Sequence, residues 1–339
     1  MNTNERLYGS DFVRICCAIG IICFHYSSHS ACERKILYTF ANGGWGNVLV
    51  SVFFALSGGM LFYNYGEIKS LKIYLYKRWK SIFPPFYVAF AYFYIRQVCD
   101  SGTYFYGGSA KKILLSLIGM DGYFAYKSPN YYLIGEWFLG AIIMMYIVYP
   151  FLLWCIKHIE IQFACIMSVL LVWVVYYNCF EIHPARNLIT CIFSFYMGMV
   201  IFKHIKYINN KWVIISSVFT FLIFFFVPIS VDNIILERIF SFAIIILLYN
   251  LGRKISCKII FKNIIKEISK ISYSIFLLQH MIIGDVLSFR NYNDYGHSFI
   301  YLIISIGLTM VFAKILTIVS DYIISSNIYI KIEKFILKN

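Results

Sequence analysis

The chain has 339 residues, of which 60% are hydrophobic and 20% aromatic, and its formal net charge is +14. A mean hydropathy of +0.72 excludes a soluble globular protein and indicates a polytopic membrane protein. The basic residues fall mostly in short loops between apolar runs, where they orient helices, so no nucleic-acid partner is expected. The ten cysteines form no CxxC pair and no Cys/His cluster at zinc spacing, so neither disulfides nor a metal are predicted.

Ten apolar runs are long enough to cross a bilayer, which takes about 20 residues. They lie at residues 10–28, 44–64, 82–99, 136–156, 161–179, 186–205, 211–229, 232–250, 271–289 and 298–324. Most basic residues fall in the loops on the same side as the N-terminus, so the positive-inside rule predicts that both termini are cytoplasmic. We expect an all-α polytopic transmembrane helix bundle of about ten spans, forming a single membrane-embedded domain over residues 1–339 with no appended soluble domain.

The first run carries three ionisable residues, Asp11, Arg14 and His25. At about 100° per residue they share one helix face, and Arg14 and His25 lie about 16 Å apart along the axis. Because ionisable groups cost several kcal/mol in hydrocarbon, this face should turn toward the protein interior or a wet cavity. The alternative is an ordinary i,i+3 pair of Asp11 and Arg14 at the membrane boundary, with His25 near the far interface.

The second and third runs add a small-residue motif and a basic cluster. The motif FFALSGG, residues 53–59, permits close helix approach and places the hydroxyl of Ser57 inside the membrane. The cluster YKRWKSIFPP carries Lys77, Arg78 and Lys80 on the cytoplasmic side. Its cations suit the phosphates of a nucleotide-bearing donor. A topology signal or a lipid anchor would have the same composition.

Later segments supply further polar candidates. Residues 100–135 form the only long outer connection and are rich in Gly, Ser and Tyr, so their rings either stack sugars or form an interfacial belt. The fourth run opens with Glu136 and Trp137 at the outer boundary. The ninth run contains Gln279 and His280 within SYSIFLLQH. Each of these residues taken singly is more typical of structure than of catalysis.

Taken together, these motifs resemble the membrane acyltransferase-3 family, whose members are integral membrane acyltransferases that modify surface glycans and related acceptors. The resemblance covers nearly the whole chain. Its elements are Arg14 and His25, FFALSGG, the basic stretch ahead of Pro84, WFL at Trp137 followed by Tyr146 and Pro150, FYMG ending at Gly198, SYSIFLLQH, and the terminal IEK at Glu333.

The chain also departs from the family pattern. Where members often have a second arginine in the basic loop, this chain has Ser81, which leaves Lys77 and Lys80 as substitutes. Ile142 and Ile143 stand where many members carry a carboxylate pair. The histidine usual in the ninth span corresponds to Gln279, with His280 displaced by one position.

The resemblance implies an integral O-acetyltransferase of the bacterial cytoplasmic membrane. It would move acetyl from cytoplasmic acetyl-CoA, with no bound cofactor, to a sugar hydroxyl of a capsule, exopolysaccharide or O-antigen glycan or of its lipid-linked oligosaccharide. Such a reaction needs a base, oxyanion donors and a site for the acyl carrier. The candidates are His25 as base or nucleophile, Arg14, Lys77, Arg78 and Lys80 for the donor, and Asp11, Ser57, Glu136, Trp137, Gln279 and His280 in support.

A polysaccharide polymerase or a lipid-linked sugar exporter is the alternative from another class, since both are also multi-span, aromatic and basic. A polymerase would concentrate arginines in large outer loops, whereas the outer arginines here stand singly. A transporter would more often show internal repeats. Direct transfer and an acyl-enzyme both remain open, because a buried histidine suits either route.

Overall fold

The computed structural model describes residues 6–30, 35–177, 179–289 and 298–338, and these are largely helical. The first seven α-helices are α1 (Tyr8–His29), α2 (Lys35–Tyr38), α3 (Trp45–Asn64), α4 (Leu71–Ser101), α5 (Ile113–Leu117), α6 (Asp121–Phe124) and α7 (Glu136–His158). The rest are α8 (Glu160–Tyr177), α9 (Leu188–Lys203), α10 (Lys211–Phe226), α11 (Asn233–Ile255), α12 (Ile259–Ser288), α13 (Ser298–Ser325) and α14 (Asn327–Lys338). Short 3₁₀ turns occupy Ala110–Lys112, Pro184–Arg186 and Ile205–Tyr207.

Each of the ten predicted runs coincides largely with one helix, namely α1, α3, α4 and α7 to α13. Seven of these ten are long and apolar enough to cross a membrane, α9 and α10 are shorter apolar helices, and α4 is in neither group. The prediction of a helical multi-pass membrane protein is therefore confirmed. The count of ten spans and the cytoplasmic termini stay predictions. A small antiparallel hairpin of β1 (Thr39–Phe40) and β2 (Gly43–Gly44) was not expected from the apolar pattern.

Two helices extend well before their predicted apolar runs. The basic cluster belongs to the first turns of α4, which begins at Leu71 after Ser70 accepts a hydrogen bond from the Ile73 amide. The helix continues through Pro84 and Pro85 and ends at Gly102, whose φ of 68° is a left-handed C-cap. Hydropathy alone missed these turns because charged residues mask the helical period. Likewise, α12 begins at Ile259, ahead of the predicted run.

Helices α1, α7 and α12 bring their candidate residues to the same heights along the bundle, so that their side chains meet. α1 and α12 run parallel, since Asp11 contacts Ser269 and, further along both helices, His29 contacts His280. α7 runs antiparallel to them, because its first residue, Glu136, meets His25. The polar faces of three helices therefore meet inside the bundle at two separate levels.

The small-residue motifs explain the close crossing of α3 and α9. A Cβ on Gly58 would lie 2.0 Å from the carbonyl oxygen of Phe195, and one on Gly198 would lie 1.8 Å from that of Ala55. Only glycine allows these backbones to approach so closely, as small residues do elsewhere in membrane helices. The motifs FFALSGG and FYMG are thus two halves of one contact.

Arginine is also buried away from the candidate site. Arg238 of α11 is completely buried, and its guanidinium donates to Ser51 Oγ and to the carbonyl oxygen of Ala185. Its neighbour Glu237 accepts a 2.8 Å hydrogen bond from the Gly44 amide. Both side chains tie α11 to the β-hairpin and to α3, which accounts for their burial structurally.

Candidate active site

Glu136 is the centre of a polar cluster formed by α1, α7 and α12. Its Oε1 lies 3.1 Å from His25 Nε2 and 2.9 Å from His280 Nε2. The amide of Gln279 donates to the same oxygen at 3.3 Å. His29 Nε2 lies 3.3 Å from His280 Nδ1. We call these five residues the histidine–glutamate cluster.

The backbone around Glu136 is unusual. Its φ of 45° is the only positive value at a non-glycine residue in the described part of the chain, and it follows Gly135 at φ 84°. A Cβ on Gly122 would lie 2.4 Å from the Glu136 carbonyl oxygen, so α6 packs tightly against this turn. Strained backbone of this kind persists where the surroundings fix it and is common at functional sites. The start of α7 also favours a carboxylate through the helix dipole.

Burial within the cluster increases from the surface inward. His29 is exposed, the side chain of His280 is 27% exposed, and those of Glu136 and His25 are 15% and 12% exposed. Gln279 is fully buried. The ring of His25 is therefore largely shielded from solvent. Contacts through Glu136 and His280 link it to the exposed His29.

The structure brings together four of the predicted residues, His25, Glu136, Gln279 and His280. Both Gln279 and His280 reach Glu136, so the one-position displacement from the family pattern leaves an imidazole on this carboxylate. His29 was missed. Its spacing of four from His25 puts both on one face of α1, and this was the available signal.

Arg14 lies at the other level, nearer the start of α1. Its Nη1 lies 3.2 Å from Asp11 Oδ1 and donates to Ser269 Oγ at 3.0 Å, while Arg6 binds the other oxygen of Asp11 at 2.5 Å. The i,i+3 pair considered in the sequence therefore forms. Arg14 is nevertheless 31% exposed and lines two cavities.

A basic cavity of about 420 Å³ opens beside Arg14. It is lined by Arg14, Ser57, Met60, Leu61, Asn64, Tyr65, Lys77, Arg78 and Tyr146. Arg78 donates to Tyr65 Oη at 2.9 Å, and its guanidinium lies 4.8 Å from the centre of that ring. Lys80 is not part of this lining, because its Nζ lies 2.7 Å from Glu333 of α14. Three of the four residues predicted for the donor thus share one cavity.

An apolar cavity of about 230 Å³ shares Arg14, Ser57 and Tyr146 with the basic cavity. Its other lining residues are Phe53, Ser81, Ile82, Phe138, Ile142, Ser272, Tyr273 and Phe276. The rings of Phe138 and Phe276 lie 5.1 Å apart, and both residues stand within one turn of the histidine–glutamate cluster in sequence. Ser57 therefore lies at the Arg14 level rather than with His25.

Trp137 packs beside the cluster. Its ring lies 6.0 Å from that of Phe54, and the exposed Arg186 places its guanidinium 5.8 Å from the indole centre. Arg186 is one of the outer arginines that stand singly in the sequence. Within the outer segment before α7, Tyr131 is buried and donates to the Gly108 carbonyl oxygen at 3.0 Å. Burial also raises the pKa of Asp121 in this segment.

Comparison with known proteins adds one finding. The model of a family described as an acyltransferase domain, acyltransferase 3, matches residues 7–318, which include α1 to α12 and most of α13. No curated protein and no solved structure matches the chain significantly. The match spans both levels of the site and nearly the whole chain. This protein belongs to the acyltransferase-3 family of membrane acyltransferases.

Proposed function

We propose that this acyltransferase is an O-acetyltransferase of the bacterial cytoplasmic membrane. It takes acetyl from acetyl-CoA on the cytoplasmic side and transfers it to a sugar hydroxyl of a surface glycan or its lipid-linked precursor. The observation that carries the proposal is the separation of two polar levels along α1. A histidine held by a carboxylate lies at one level, and cation-lined cavities lie at the other.

His25 acts as the general base. If its Nε2–H donates to Glu136 Oε1, the lone pair resides on Nδ1, where it can accept the proton of the acceptor hydroxyl. Glu136 then stabilises the imidazolium that forms, as the third member of a catalytic triad does. When the C–S bond of the thioester breaks, the imidazolium returns the proton to the leaving thiolate of coenzyme A. Such a base contributes about 10²- to 10⁴-fold to the rate.

Oxyanion stabilisation belongs to Gln279. Its Nε2 gives one N–H to Glu136 and carries a second, which suits the negative charge that develops on the carbonyl oxygen of the acetyl group. Its complete burial strengthens such a hydrogen bond, since the local dielectric is low. The Ser57 hydroxyl is also able to donate such a hydrogen bond, but its place beside Arg14 suits the binding of acetyl-CoA instead.

Arg14, Lys77 and Arg78 bind the phosphates of the donor. Among the described residues no carboxylate pairs with Lys77 or Arg78, so both charges remain for a ligand. The apolar cavity beyond Arg14 accepts the thioester arm, which has to cover the rise of about 16 Å between Arg14 and His25. The rings of Phe138 and Phe276 lie at the end of that path nearest the histidine–glutamate cluster.

The test measures alkali-labile acetyl groups on the surface glycan of the host by NMR. A deletion strain is complemented with wild type, His25→Gln or His158→Gln at matched membrane abundance. His158 is an exposed histidine at the end of α7 and serves as the matched control. We expect acetylation with wild type and His158→Gln and its loss with His25→Gln.

Three results would contradict parts of this proposal. Equal acetylation in all strains would remove His25 from catalysis. Detection of a different alkali-labile acyl group would show that the group transferred is not acetyl. A glycan that is shortened rather than deacetylated by the deletion would favour the polymerase over the acetyltransferase.

A further inference from the structure

The histidine–glutamate cluster contains a feature that base catalysis does not require. Three histidines from two helices converge, and one ring nitrogen from each lies within 4.8 Å of those from the other two. His25 and His29 stand four apart on α1, and His280 comes from α12. A single base needs only one of them.

We propose that His25, His29 and His280 form a binding site for Zn²⁺, and that the bound ion stops acyl transfer. The second part rests on the proposed function, whereas the first does not. Three neutral imidazoles and a water molecule are an established tetrahedral zinc environment. Imidazole also binds divalent transition metals in preference to Mg²⁺ and Ca²⁺.

The distances fit a site that closes with small side-chain rotations. Tetrahedral Zn–N bonds of about 2.0–2.1 Å place ligand nitrogens roughly 3.3 Å apart. His29 Nε2 and His280 Nδ1 already have this separation, at 3.3 Å. All three ligand atoms lie within 4.8 Å of one another. The rings of His25 and His29, whose centres are 6.3 Å apart, come closer if the exposed side chain of His29 rotates inward.

Glu136 supplies the outer shell that such a site needs. Metal-bound histidines almost always donate their other ring N–H to a carboxylate or a carbonyl oxygen, which fixes the tautomer. The Nε2 atoms of His25 and His280 both face Glu136 Oε1, at 3.1 and 2.9 Å. Their Nδ1 atoms are then the ligands, and that of His280 faces His29.

Zinc at this position is incompatible with the base. A neutral imidazole has one lone pair in the ring plane, and the metal takes it. His25 could then accept no proton from the acceptor hydroxyl. Because His29 is exposed at the end of α1, the ion can enter without unfolding the helix bundle.

The test uses the full chain purified in detergent and stripped of metal with a chelator. Zinc binding is measured by calorimetry and by competition with a chromogenic chelator, for wild type, His29→Gln and His158→Gln. We expect one tight site in wild type and in His158→Gln, and more than about tenfold weaker binding in His29→Gln. Thermal unfolding without metal shows that each variant is folded.

Acetyl transfer in the same samples gives the second readout, as the ratio of activity with and without zinc. We expect zinc to inhibit wild type and His158→Gln at lower concentrations than His29→Gln. Equal zinc affinity in wild type and His29→Gln overturns the site. Binding without inhibition, or with activation, overturns the inhibitory role. Zinc binding by a protein that transfers no acetyl contradicts the proposed function and leaves the metal site intact.

Discussion

The two polar levels of the site differ in how their charges are paired. At the His25 level, one carboxylate accepts contacts from two histidines and an amide. At the Arg14 level, Arg6, Arg14 and Ser269 share Asp11. Lys77 and Arg78 lie against tyrosine side chains and pair with no carboxylate among the described residues. The carboxylate of the first level has its partners within the protein. The second has cations left over beside open cavities.

This difference corresponds to two kinds of work. A base must have a fixed tautomer and orientation before the substrate arrives, which requires partners within the protein. A site for a charged ligand must keep a net positive charge. Here one carboxylate, Asp11, is shared by Arg6 and Arg14, while Lys77 and Arg78 pair with no carboxylate among the described residues. The comparison predicts that mutations at the two levels will alter different kinetic constants.

The largest effect is expected from Glu136→Gln. The loss of the carboxylate removes the acceptor that orients His25, so kcat for acetyl transfer should fall by about 10²- to 10⁴-fold while the KM for the donor stays nearly constant. Glu160→Gln is the control, because Glu160 also binds a histidine, His204, at 2.9 Å but lies elsewhere. Rates in membrane vesicles with labelled acetyl-CoA measure both. A change in KM alone would contradict the assignment of catalysis to the His25 level and of donor binding to the Arg14 level.

Filling the apolar cavity tests the connection between the levels. Ile142→Trp places a large ring in the path of the thioester arm, and we expect about 100-fold slower transfer because the reacting groups no longer meet. Ile147→Trp is the matched control, since Ile147 of the same helix is exposed on the bundle surface. Zinc affinity of Ile142→Trp should match wild type. Unchanged transfer would show that the arm takes another route.

Donor binding should depend on Arg78 but hardly on Lys80. Arg78→Gln removes a cation from the basic cavity and should raise the KM for acetyl-CoA roughly 10-fold or more, as charge-assisted contacts do. Lys80→Gln should change it by less than about threefold, because Lys80 pairs with Glu333. Steady-state kinetics measure the KM for acetyl-CoA of both variants, and the kcat of each is compared with that of wild type. Equal effects would indicate a diffuse field rather than a site.

The α3/α9 crossing supports the Arg14 level through Ser57. Gly198→Ala forces a methyl group against the Ala55 carbonyl oxygen and should lower stability by about 1–3 kcal/mol. Gly284→Ala in α12 meets open space and should be neutral or slightly stabilising. Thermal unfolding in detergent compares the two. A stable Gly198→Ala variant would mean that the helices can separate without cost.

The smallest effect concerns Asp121, whose segment packs on the start of α7 and supports the His25 level. Burial raises its pKa, so the folded state holds the proton more tightly than the unfolded state does. Its contribution to stability is complete at low pH and is lost as pH rises through the raised pKa. Asp121→Asn should therefore unfold a few degrees higher than wild type at about pH 8 and similarly at about pH 4. A difference that grows toward low pH would reverse the sign.

The helices followed from composition and periodicity. Long apolar runs must form helices in a bilayer, because backbone groups have no other hydrogen-bonding partners there. The apolar runs missed the starts of α4 and α12, because charged residues mask the helical pattern in the first turns of both helices. The β-hairpin gave no apolar signal because it is only two residues long on each side.

By itself, the sequence determined that Arg14 and His25 share a face of α1, since helical geometry depends only on spacing. The sequence also placed Glu136 and His280 in later helices, but it did not predict that these side chains contact each other. Only the tertiary structure decided that these side chains meet on one carboxylate, that His29 joins them, and that Lys80 and Ser57 lie elsewhere. The physical reason is that spacing fixes the face of one helix, whereas depth and rotation between helices depend on packing contacts far apart in the chain.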